Sequence, residues 1–223
     1  MLHLQNVLDP NQLDSVRRML ADAKFVDGKL SAGMAAKRVK QNLELDRQAQ
    51  QMGILNNIVM NSLVQHPVYR AGALPLRVAS PLYARYTPGM AYGDHLDDAI
   101  MGTEEGLYRS DVAITIFLNE PDQYDGGELV IRTAFGENAV KLPAGDAVMY
   151  PSSSLHRVSA VTRGERLVAV TWVQSLVRDP ARRELLYELY QAREKLLKVS
   201  PDAPETAQVN TAYMNLIRMW GDI

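Results

Sequence analysis

The chain has 223 residues, of which 47% are hydrophobic and 22% are charged, a balance typical of globular proteins. At roughly 150 residues per domain, this length predicts one principal domain with additional segments. The 24 basic and 26 acidic residues give a net charge of −2, so we expect no nucleic-acid partner and no attraction to anionic membranes. Cysteine is absent, which excludes disulfides, thiolate metal sites and a cysteine nucleophile.

Neither export nor membrane insertion is expected from the sequence. Residues 1–10 lack the basic leader and the apolar run of a signal peptide, so we predict a cytoplasmic protein. The longest apolar stretches, 112–118 and 167–173, are about a third of the roughly 20 residues that span a bilayer. These stretches are therefore predicted to be strands of a protein core.

Two helices are predicted near the N-terminus. Asp9-Pro10 is a helix-start signal, and apolar residues follow it at helical spacing. Asp46 is the predicted cap of a second helix, which ends near Gln65 because a proline follows. Between the two helices, residues 26–38 are expected to form a loop or a short edge strand. We expect residues 1–75 as a whole to form a helical segment that packs on the domain that follows.

The sequence pattern changes at about residue 76. Short runs rich in Val, Ile, Thr and aromatic residues alternate with clusters of Gly, Pro, Asp and Asn, as in strands joined by turns. The predicted strands are 77–86, 111–118, 127–133, 139–142, 147–150, 156–161 and 166–174. Their short spacing favours a sandwich or jelly roll over alternating strands and helices. Residues 76–176 are therefore the predicted β-domain.

Residues 177–223 return to a helical pattern, with a break at 200–204 before a last helix. Four apolar residues of the first of these helices share one stripe: Leu185, Leu189, Ala192 and Leu196. We expect this stripe to pack on the protein core. The alternative is a contact between copies of the chain, in a homo-oligomer formed through the C-terminal helices.

Two of the four histidines, His95 and His156, lie in the predicted β-domain. Asp97 follows His95 at the second position, and the preceding residues 86–94 are too rich in Gly and Pro to be helical. On an extended backbone, alternate side chains point to one side about 6–7 Å apart, so this imidazole and this carboxylate can bind one ion. In a jelly roll, His156 can return to the same cavity. Two imidazoles and one carboxylate on one metal face are typical of non-haem Fe(II) oxygenases.

Arg166 follows His156 closely, across a predicted turn. A buried guanidinium near a metal could hold a carboxylate with two hydrogen bonds, as a dicarboxylate co-substrate requires. A two-residue hairpin turn would leave Arg166 and His156 on opposite faces, whereas a three-residue loop points both inward. The hypothesis therefore predicts an odd-length loop or a bulge at Gly164. Alternatively, Arg166 pairs with Glu165 or Asp146 at the surface.

Several motifs together resemble a known family. They are Tyr86-x-x-Gly89-x-x-Tyr92-Gly-Asp-His95-x-Asp97, Asp125-Gly-Gly-Glu-Leu129, Gly145-Asp-Ala-Val-Met-Tyr150-Pro, and His156-x-Val158 followed by Gly164-x-Arg166. In combination they resemble the Fe(II)/2-oxoglutarate dioxygenases of the prolyl-4-hydroxylase type. The length and the helical flanks resemble the bacterial PKHD-type hydroxylases within that superfamily.

The resemblance implies a fold and a set of site residues. The implied fold is of the α+β class, a double-stranded β-helix (jelly-roll/cupin-like) core flanked by N- and C-terminal helices. His95, Asp97 and His156 are the implied catalytic iron ligands. Arg166 is the implied partner of the C5 carboxylate of 2-oxoglutarate. Tyr86 matches a tyrosine that hydrogen-bonds this co-substrate in relatives, and Tyr92 is a further candidate.

The resemblance also implies a reaction. This reaction couples oxidative decarboxylation of 2-oxoglutarate to succinate and CO2 with O2-dependent hydroxylation of a substrate that the sequence does not identify. L-Ascorbate is an implied accessory because it rescues over-oxidised iron in this family. The animal prolyl hydroxylases have lysine at the position of Arg166, so the arginine here agrees with the PKHD group instead. The resemblance does not imply that the substrate is a peptidyl proline.

Two other functions remain open from the residues alone. A jelly-roll module could bind or sense a divalent metal without turnover, although such a module needs no inward-facing Arg166. A zinc hydrolase could use the same histidines and carboxylate, but the sequence shows no independent general base. His3 and His66 are expected to lie outside the site. Residues 97–110 form a hypothesised lid or substrate-selecting loop.

Overall fold

Antiparallel β-sheets form the centre of the molecule. The computed structural model describes residues 1–102 and 106–222. Its strands are β1 (Leu2–Leu4), β2 (Phe25–Asp27), β3 (Lys40–Gln41), β4 (Leu43–Leu45), β5 (Pro75–Val78), β6 (Leu82–Tyr86), β7 (Ala91–His95), β8 (Ile100–Met101), β9 (Tyr108–Arg109), β10 (Val112–Phe117), β11 (Tyr124–Gly126), β12 (Leu129–Thr133), β13 (Gly136–Val140), β14 (Ala147–Pro151), β15 (His156–Val158), β16 (Val161–Gly164) and β17 (Arg166–Ser175).

Two main sheets are formed by these strands within the described residues. The larger sheet has eight strands in the order β1-β14-β10-β17-β6-β4-β2, with β5 paired to β17, and the smaller has five in the order β13-β12-β15-β7-β3. Two-stranded ribbons, β11-β16 and β8-β9, complete the β-structure of that part of the chain. This is the predicted jelly-roll core, mixed with helices as the α+β class requires.

The apolar strand β10 contributes to two of the hydrophobic clusters in the described residues. All six of its residues are buried, because both faces of the larger sheet are covered. Val112, Ile114 and Ile116 pack in the cluster shared with the N-terminal helices. Ala113 and Phe117 pack in the cluster between the two sheets. The alternation along one strand thus separates the helix-facing core from the core that faces the smaller sheet.

The described helices flank the sheets: α1 (Pro10–Ala21), α2 (Met52–Gln65), α3 (Pro67–Ala73), α4 (Pro180–Val199) and α5 (Pro204–Trp220). Asp9 caps α1, as predicted, by accepting hydrogen bonds from the backbone of Asn11 and Gln12. The prediction that Asp46 caps α2 is wrong. Asp46 instead accepts from the backbone of Gln48 in a turn, and the helix begins six residues later, at Met52. None of the described helices combines the length and apolar character needed to cross a bilayer.

Residues 1–75 contain more strands than expected, although β2 lies at the start of the range where a loop or a short edge strand was predicted. The additional strands extend the sheets: β1 pairs with β14, β4 pairs with β6, and β3 pairs with β7. These strands are only two or three residues long, too short for a periodic pattern to reveal. The predicted strand 77–86 is likewise two strands, β5 and β6, separated at Ala79–Pro81 because proline cannot donate to a sheet.

The predicted hairpin between the strands of His156 and Arg166 is also wrong. His156 lies on β15 in the smaller sheet, whereas Arg166 begins β17, which pairs with β10 and β6 in the larger sheet. The intervening β16 pairs with β11, and its pairing irregularity falls between Asp125 and Gly126 rather than at Gly164. The chain crosses from one sheet to the other here. Both side chains still reach one cavity, because the two sheets face each other.

The C-terminal helices pack on the core with only part of the predicted stripe, because Leu189 lies against a buried cluster whereas Ala192 is exposed. Leu185 is 56% exposed, whereas Leu186 is buried in a cluster with Val177 and Tyr213. The buried Arg183 connects α4 to the β-domain by donating to the carbonyl oxygens of Val177, Arg178 and Asp111, at 2.7, 2.8 and 3.3 Å respectively. The sequence pattern did not reveal Arg183 as part of the buried face, because a charged residue is normally expected at the surface.

Replacing Arg183 by methionine should destabilise the protein. The change leaves three carbonyl oxygens without their charged donor, and we expect a loss of about 2–3 kcal/mol in the free energy of unfolding. The nearby Arg178→Met variant is the control, because the Arg178 side chain is 67% exposed and lies 3.4 Å from Asp222, an exposed pair worth about 1 kcal/mol at most. Urea denaturation of both variants measures the difference. Equal losses would contradict the assigned role of Arg183.

Candidate active site

A cavity of about 830 Å³ lies between the two sheets and the N-terminal segment. Ligand pockets of proteins commonly measure about 300–1,000 Å³, so this one has room for a small co-substrate and a second molecule. All six residues proposed from the sequence line it: His95, Asp97, His156, Arg166, Tyr86 and Tyr92. The structure therefore brings together side chains that lie up to 80 positions apart in the chain.

His95, Asp97 and His156 converge at one point of this cavity. One potential ligand atom from each lies within 4.8 Å of the other two. Strand pairing causes the convergence: β7 ends at His95, β15 begins at His156, and the register of the two strands places these residues opposite each other. Asp97 lies two positions after His95, and its carboxylate points to the same side as that imidazole, as predicted.

Backbone carbonyls fix the orientation of both imidazole rings. Nδ1 of His95 lies 2.8 Å from the carbonyl oxygen of Gly93, and Nδ1 of His156 lies 2.9 Å from that of Ser154. Because a carbonyl oxygen only accepts, each Nδ1 carries the hydrogen and donates it. Nε2 of each ring keeps its lone pair, as in histidines that bind a metal.

The electrostatics of the three side chains suit a cation. The Asp97 side chain is 8% exposed, and its Oδ1 lies 3.8 Å from Nε2 of His156. Its Oδ2 is buried without a hydrogen-bond partner in the described part of the chain. Burial raises the pKa of Asp97, and the neighbouring His156 opposes this shift. Burial also lowers the pKa of His95 to about 4, so its ring is neutral at pH 7. A cation would supply the partner that Asp97 Oδ2 lacks.

Arg166 is enclosed in the same cavity, with an exposure of only 2%. Its guanidinium carbon lies 5.0 Å from the centre of the Tyr86 ring and 5.8 Å from that of Phe117. Its Nε has no hydrogen-bond partner within residues 1–102 and 106–222. A buried guanidinium needs an anion, because its desolvation is costly unless it is compensated.

The two surface partners considered for Arg166 are engaged elsewhere. Glu165 lies 3.2 Å from Nε of Arg85, and Asp146 lies 2.6 Å from Nε2 of His3. The alternative of a surface ion pair for Arg166 is therefore wrong. His3 and His66 lie outside the cavity lining, as expected, and His66 instead contacts the carbonyl oxygen of Gln5 at 3.0 Å.

Two residues that the sequence did not reveal, Tyr124 and Gly127, lie beside Arg166. Tyr124 has a buried hydroxyl without a hydrogen-bond partner among the described residues, and the nearby Arg166 charge opposes the burial that raises its pKa. A Cβ on Gly127 would lie 3.0 Å from Cδ of Arg166, so this glycine gives the arginine its space. In the sequence, Gly127 stood out only as part of the motif Asp125-Gly-Gly-Glu-Leu129. The φ angle of Gly127, +67°, fits a turn, so no separate signal revealed the contact.

A buried ion pair in the cavity wall also escaped the sequence analysis. Nζ of Lys40 lies 2.5 Å from Oε1 of Glu44, and both side chains are less than 10% exposed. They come from the short strands β3 and β4, for which the sequence carries no pattern. The hypothesised lid stays a prediction: residues 103–105 lie outside the described residues, and the flanking strands β8 and β9 pair with each other.

Comparisons with known proteins identify the family. Residues 81–174 match the family described as the 2OG-Fe(II) oxygenase superfamily, and residues 180–222 match the PKHD-type hydroxylase C-terminal domain. A PKHD-type hydroxylase of Thioalkalivibrio sulfidiphilus is 54% identical over 223 residues, covering 100% of both chains. A PKHD-type hydroxylase of Thermosynechococcus vestitus is 43% identical, again over 100% of both chains.

Solved structures share the fold at low sequence identity. A prolyl hydroxylase from Trichoplax adhaerens, in complex with a hypoxia inducible factor peptide fragment, has a TM-score of 0.56 at 15% identity. The match covers 82% of this chain and 86% of that one. HygX from Streptomyces hygroscopicus, with nickel, 2-oxoglutarate and hygromycin B bound, has a TM-score of 0.54 at 14% identity, covering 79% and 83%. At these identities, the likeness concerns the fold alone.

The jelly-roll fold and the superfamily match define an oxygenase that depends on Fe(II) and 2-oxoglutarate. The chain belongs to the PKHD-type hydroxylases, since the match to curated relatives extends over its full length. The predicted family, fold class and enzyme class are thereby confirmed. An enzymatic role is favoured over a metal-binding module without turnover, and the oxygenase family is favoured over a zinc hydrolase.

The convergence of the three side chains predicts selective loss of metal binding in a His156→Ala variant. We expect this change to weaken Co(II) binding by more than about tenfold, since even loss of outer partners of a metal ligand costs 10–100-fold. His66→Ala is the control because that histidine contacts Gln5 outside the cavity. Anaerobic titration with Co(II), followed by visible absorption, compares the two. Unchanged affinity in His156→Ala would refute the site.

Proposed function

We propose that this chain hydroxylates a C–H bond of its substrate in the cavity between the two sheets. In this proposal, His95, Asp97 and His156 bind Fe(II), and Arg166 binds the C5 carboxylate of 2-oxoglutarate. The observation that carries the proposal is the presence of a convergent two-histidine, one-carboxylate set and a buried guanidinium in one cavity. A metal-binding module needs the first feature but not the second.

The donor set fits Fe(II) by its chemistry. Neutral imidazole nitrogens and a carboxylate on one face suit non-haem Fe(II) and leave coordination positions for a co-substrate. When bound, Fe(II) and 2-oxoglutarate supply the oxidative chemistry: O2 and 2-oxoglutarate are consumed, succinate and CO2 are released, and the substrate gains a hydroxyl group. The carbonyls of Gly93 and Ser154 keep the two rings in the tautomer that offers Nε2 to the metal.

Arg166 and its neighbours are suited to orient 2-oxoglutarate. The planar guanidinium can hold a carboxylate with two parallel hydrogen bonds, which fixes the direction of the co-substrate. Burial raises the pKa of Tyr86 to about 12, so its hydroxyl stays protonated and can donate to the same carboxylate. Tyr92 lines the cavity closer to His95, with its ring stacked on that of the histidine. We propose Tyr86 as the principal hydroxyl contact and Tyr92 as a second one.

Apolar side chains around these groups limit their contact with water. Phe117, Leu129 and Val158 belong to the buried cluster between the sheets, next to the proposed metal ligands and Arg166. Excluding water strengthens the interaction of the guanidinium with its carboxylate and protects reactive species from side reactions. The fold thus supplies orientation and a partly apolar cavity, while the metal and co-substrate supply the oxidising power.

Four finer expectations stay predictions. Ascorbate is expected to sustain turnover by restoring Fe(II), and the protein is expected in the cytoplasm without a nucleic-acid partner. A homo-oligomer formed through the C-terminal helices also stays a prediction, with the exposed Leu185 as one candidate contact. Turnover with and without ascorbate, cell fractionation, a nucleic-acid binding assay and light scattering test these points one by one.

The reaction class is tested by uncoupled turnover, which needs no knowledge of the substrate. Purified protein is supplied with Fe(II), 2-oxoglutarate and air, and succinate is quantified. We expect succinate formation that requires Fe(II) and disappears when His156 is replaced by alanine. Absence of succinate, together with a His156→Ala variant that binds Fe(II) as tightly as the parent, would favour the non-catalytic module.

Replacing Arg166 by lysine should impair co-substrate binding selectively. Lysine keeps the charge but loses the planar pair of donors, so we expect the KM for 2-oxoglutarate to rise about tenfold or more. Co(II) affinity should stay within about twofold, since this side chain is not a metal ligand in the proposal. Arg163→Lys is the matched control, because Arg163 is 59% exposed and pairs with Asp125. An unchanged KM in Arg166→Lys would overturn the assignment.

A further inference from the structure

A short N-terminal segment lies against the strand that carries His95. We call residues 31–44 the strap. The strap lies outside residues 81–174, which match the oxygenase superfamily, and it forms one wall of the cavity. Its strand β3 pairs with β7, with Lys40 opposite Tyr92. The proposed metal centre is therefore contacted by a part of the chain that the oxygenase core does not include.

A backbone route connects the strap to the ring of His95. The N–H of Gly93 donates to the carbonyl oxygen of Val39 at 2.9 Å, and the carbonyl oxygen of Gly93 accepts from Nδ1 of His95 at 2.8 Å. The approach is close, because a Cβ on Gly93 would lie 2.9 Å from Cβ of Val39. The strap therefore holds Gly93 in place, and the carbonyl of Gly93 in turn orients the imidazole of His95.

A side-chain route reaches the same ring. Tyr92 stacks on His95 with ring centres 3.5 Å apart and an interplanar angle of 9°. Nζ of Lys40 lies 5.2 Å from the centre of the Tyr92 ring, within the range of a cation–π contact. Glu44 at 2.5 Å and Oγ of Ser31 at 3.0 Å hold Lys40 in this position. Four strap and β7 side chains thus form one chain of contacts that ends at the imidazole.

The cost of burying Lys40 and Glu44 argues for a role beyond stability. Taking two charges out of water is expensive, and apolar residues of similar size often stabilise a protein as well or better. Here the pair holds a cation beside an aromatic ring that restrains a proposed metal ligand. Groups that orient a metal-binding histidine commonly change metal affinity 10–100-fold when they are altered.

We propose that the strap positions His95 for metal binding, with Tyr92 and Lys40 as positioning residues. Two constraints act on the ring: the hydrogen bond at Nδ1 sets its tautomer, and the stack on Tyr92 limits its rotation. Together they direct Nε2 toward Asp97 and His156. The inference rests on the proposed role of His95 as a metal ligand. The experiments distinguish failure of the metal site from failure of the positioning role of the strap.

The stack is tested by comparing Tyr92→Phe with Tyr92→Leu. Phenylalanine keeps the ring against His95, whereas leucine removes it. We expect the Co(II) dissociation constant of the full-length protein, without 2-oxoglutarate, to stay within about twofold for Tyr92→Phe and to rise about tenfold for Tyr92→Leu. The Co(II) visible bands should shift in Tyr92→Leu alone, a signature that a merely destabilising change would not produce.

The backbone route is tested independently by Gly93→Ala. The added methyl group must displace Val39, so we expect Co(II) affinity to fall about tenfold although the proposed ligands and Tyr92 are intact. Gly53→Ala is the matched control, because a Cβ at this position on α2 meets nothing within 4 Å. Thermal melting of the metal-free proteins shows whether Tyr92→Leu folds. If it does not fold, Gly93→Ala still tests the proposal.

The charged end of the chain of contacts is tested by the double variant Lys40→Met, Glu44→Leu. Removing both charges avoids leaving one of them buried alone. We expect Co(II) affinity to fall roughly two- to tenfold, and the exposed Lys37→Met to have no effect. If the parent binds no Co(II), the proposed metal site itself fails. If the parent binds it and Tyr92→Leu and Gly93→Ala bind it equally well, the metal site stands and the positioning role of the strap is refuted.

Discussion

The pairing of β15 with β7 is the constraint on which the candidate active site depends. This register sets His156 opposite His95 and leaves Asp97 two positions beyond, so three donors meet although none is adjacent in sequence. The rest of the architecture keeps that pairing in place. The larger sheet covers one side of it, and the strap adds a further strand at the edge of β7. A metal site built on paired strands is also more rigid than one built on loops.

Four charged side chains are buried in the wall of the candidate active site. Arg166, Asp97 and the pair Lys40–Glu44 all line one cavity, in a molecule whose other ion pairs in the described residues lie mostly toward the surface. Burial disfavours the charged form of each group, so it lowers the pKa of His95 and raises the pKa of Asp97. The ring of His95 is therefore neutral, and Asp97 resists ionisation unless a cation is bound. Such a site is destabilised by itself and stabilised by its ligands.

The sequence predicted what its periodicity and motifs encode. The apolar run of β10 indicated a strand of the β-domain. The spacing of His95 and Asp97 indicated two donors on one side of an extended backbone. Both features can be read from a few neighbouring residues. The partners of β16 and β17 could not be predicted, since hairpin geometry between neighbours is the default expectation and the chain instead crosses between sheets. Lys40 and Glu44 were missed for a related reason: strands of two or three residues carry no detectable pattern.

The N-terminal strands also protect the β-domain from association with itself. β1 covers the free edge of β14, β4 covers that of β6, and β3 covers that of β7. A fragment limited to residues 76–176 would expose three rows of unsatisfied backbone donors and acceptors, a template for edge-to-edge aggregation. In the full chain these three sites end instead in the short edge strands β1, β2 and β3, of two or three residues each, which offer a much smaller template for pairing.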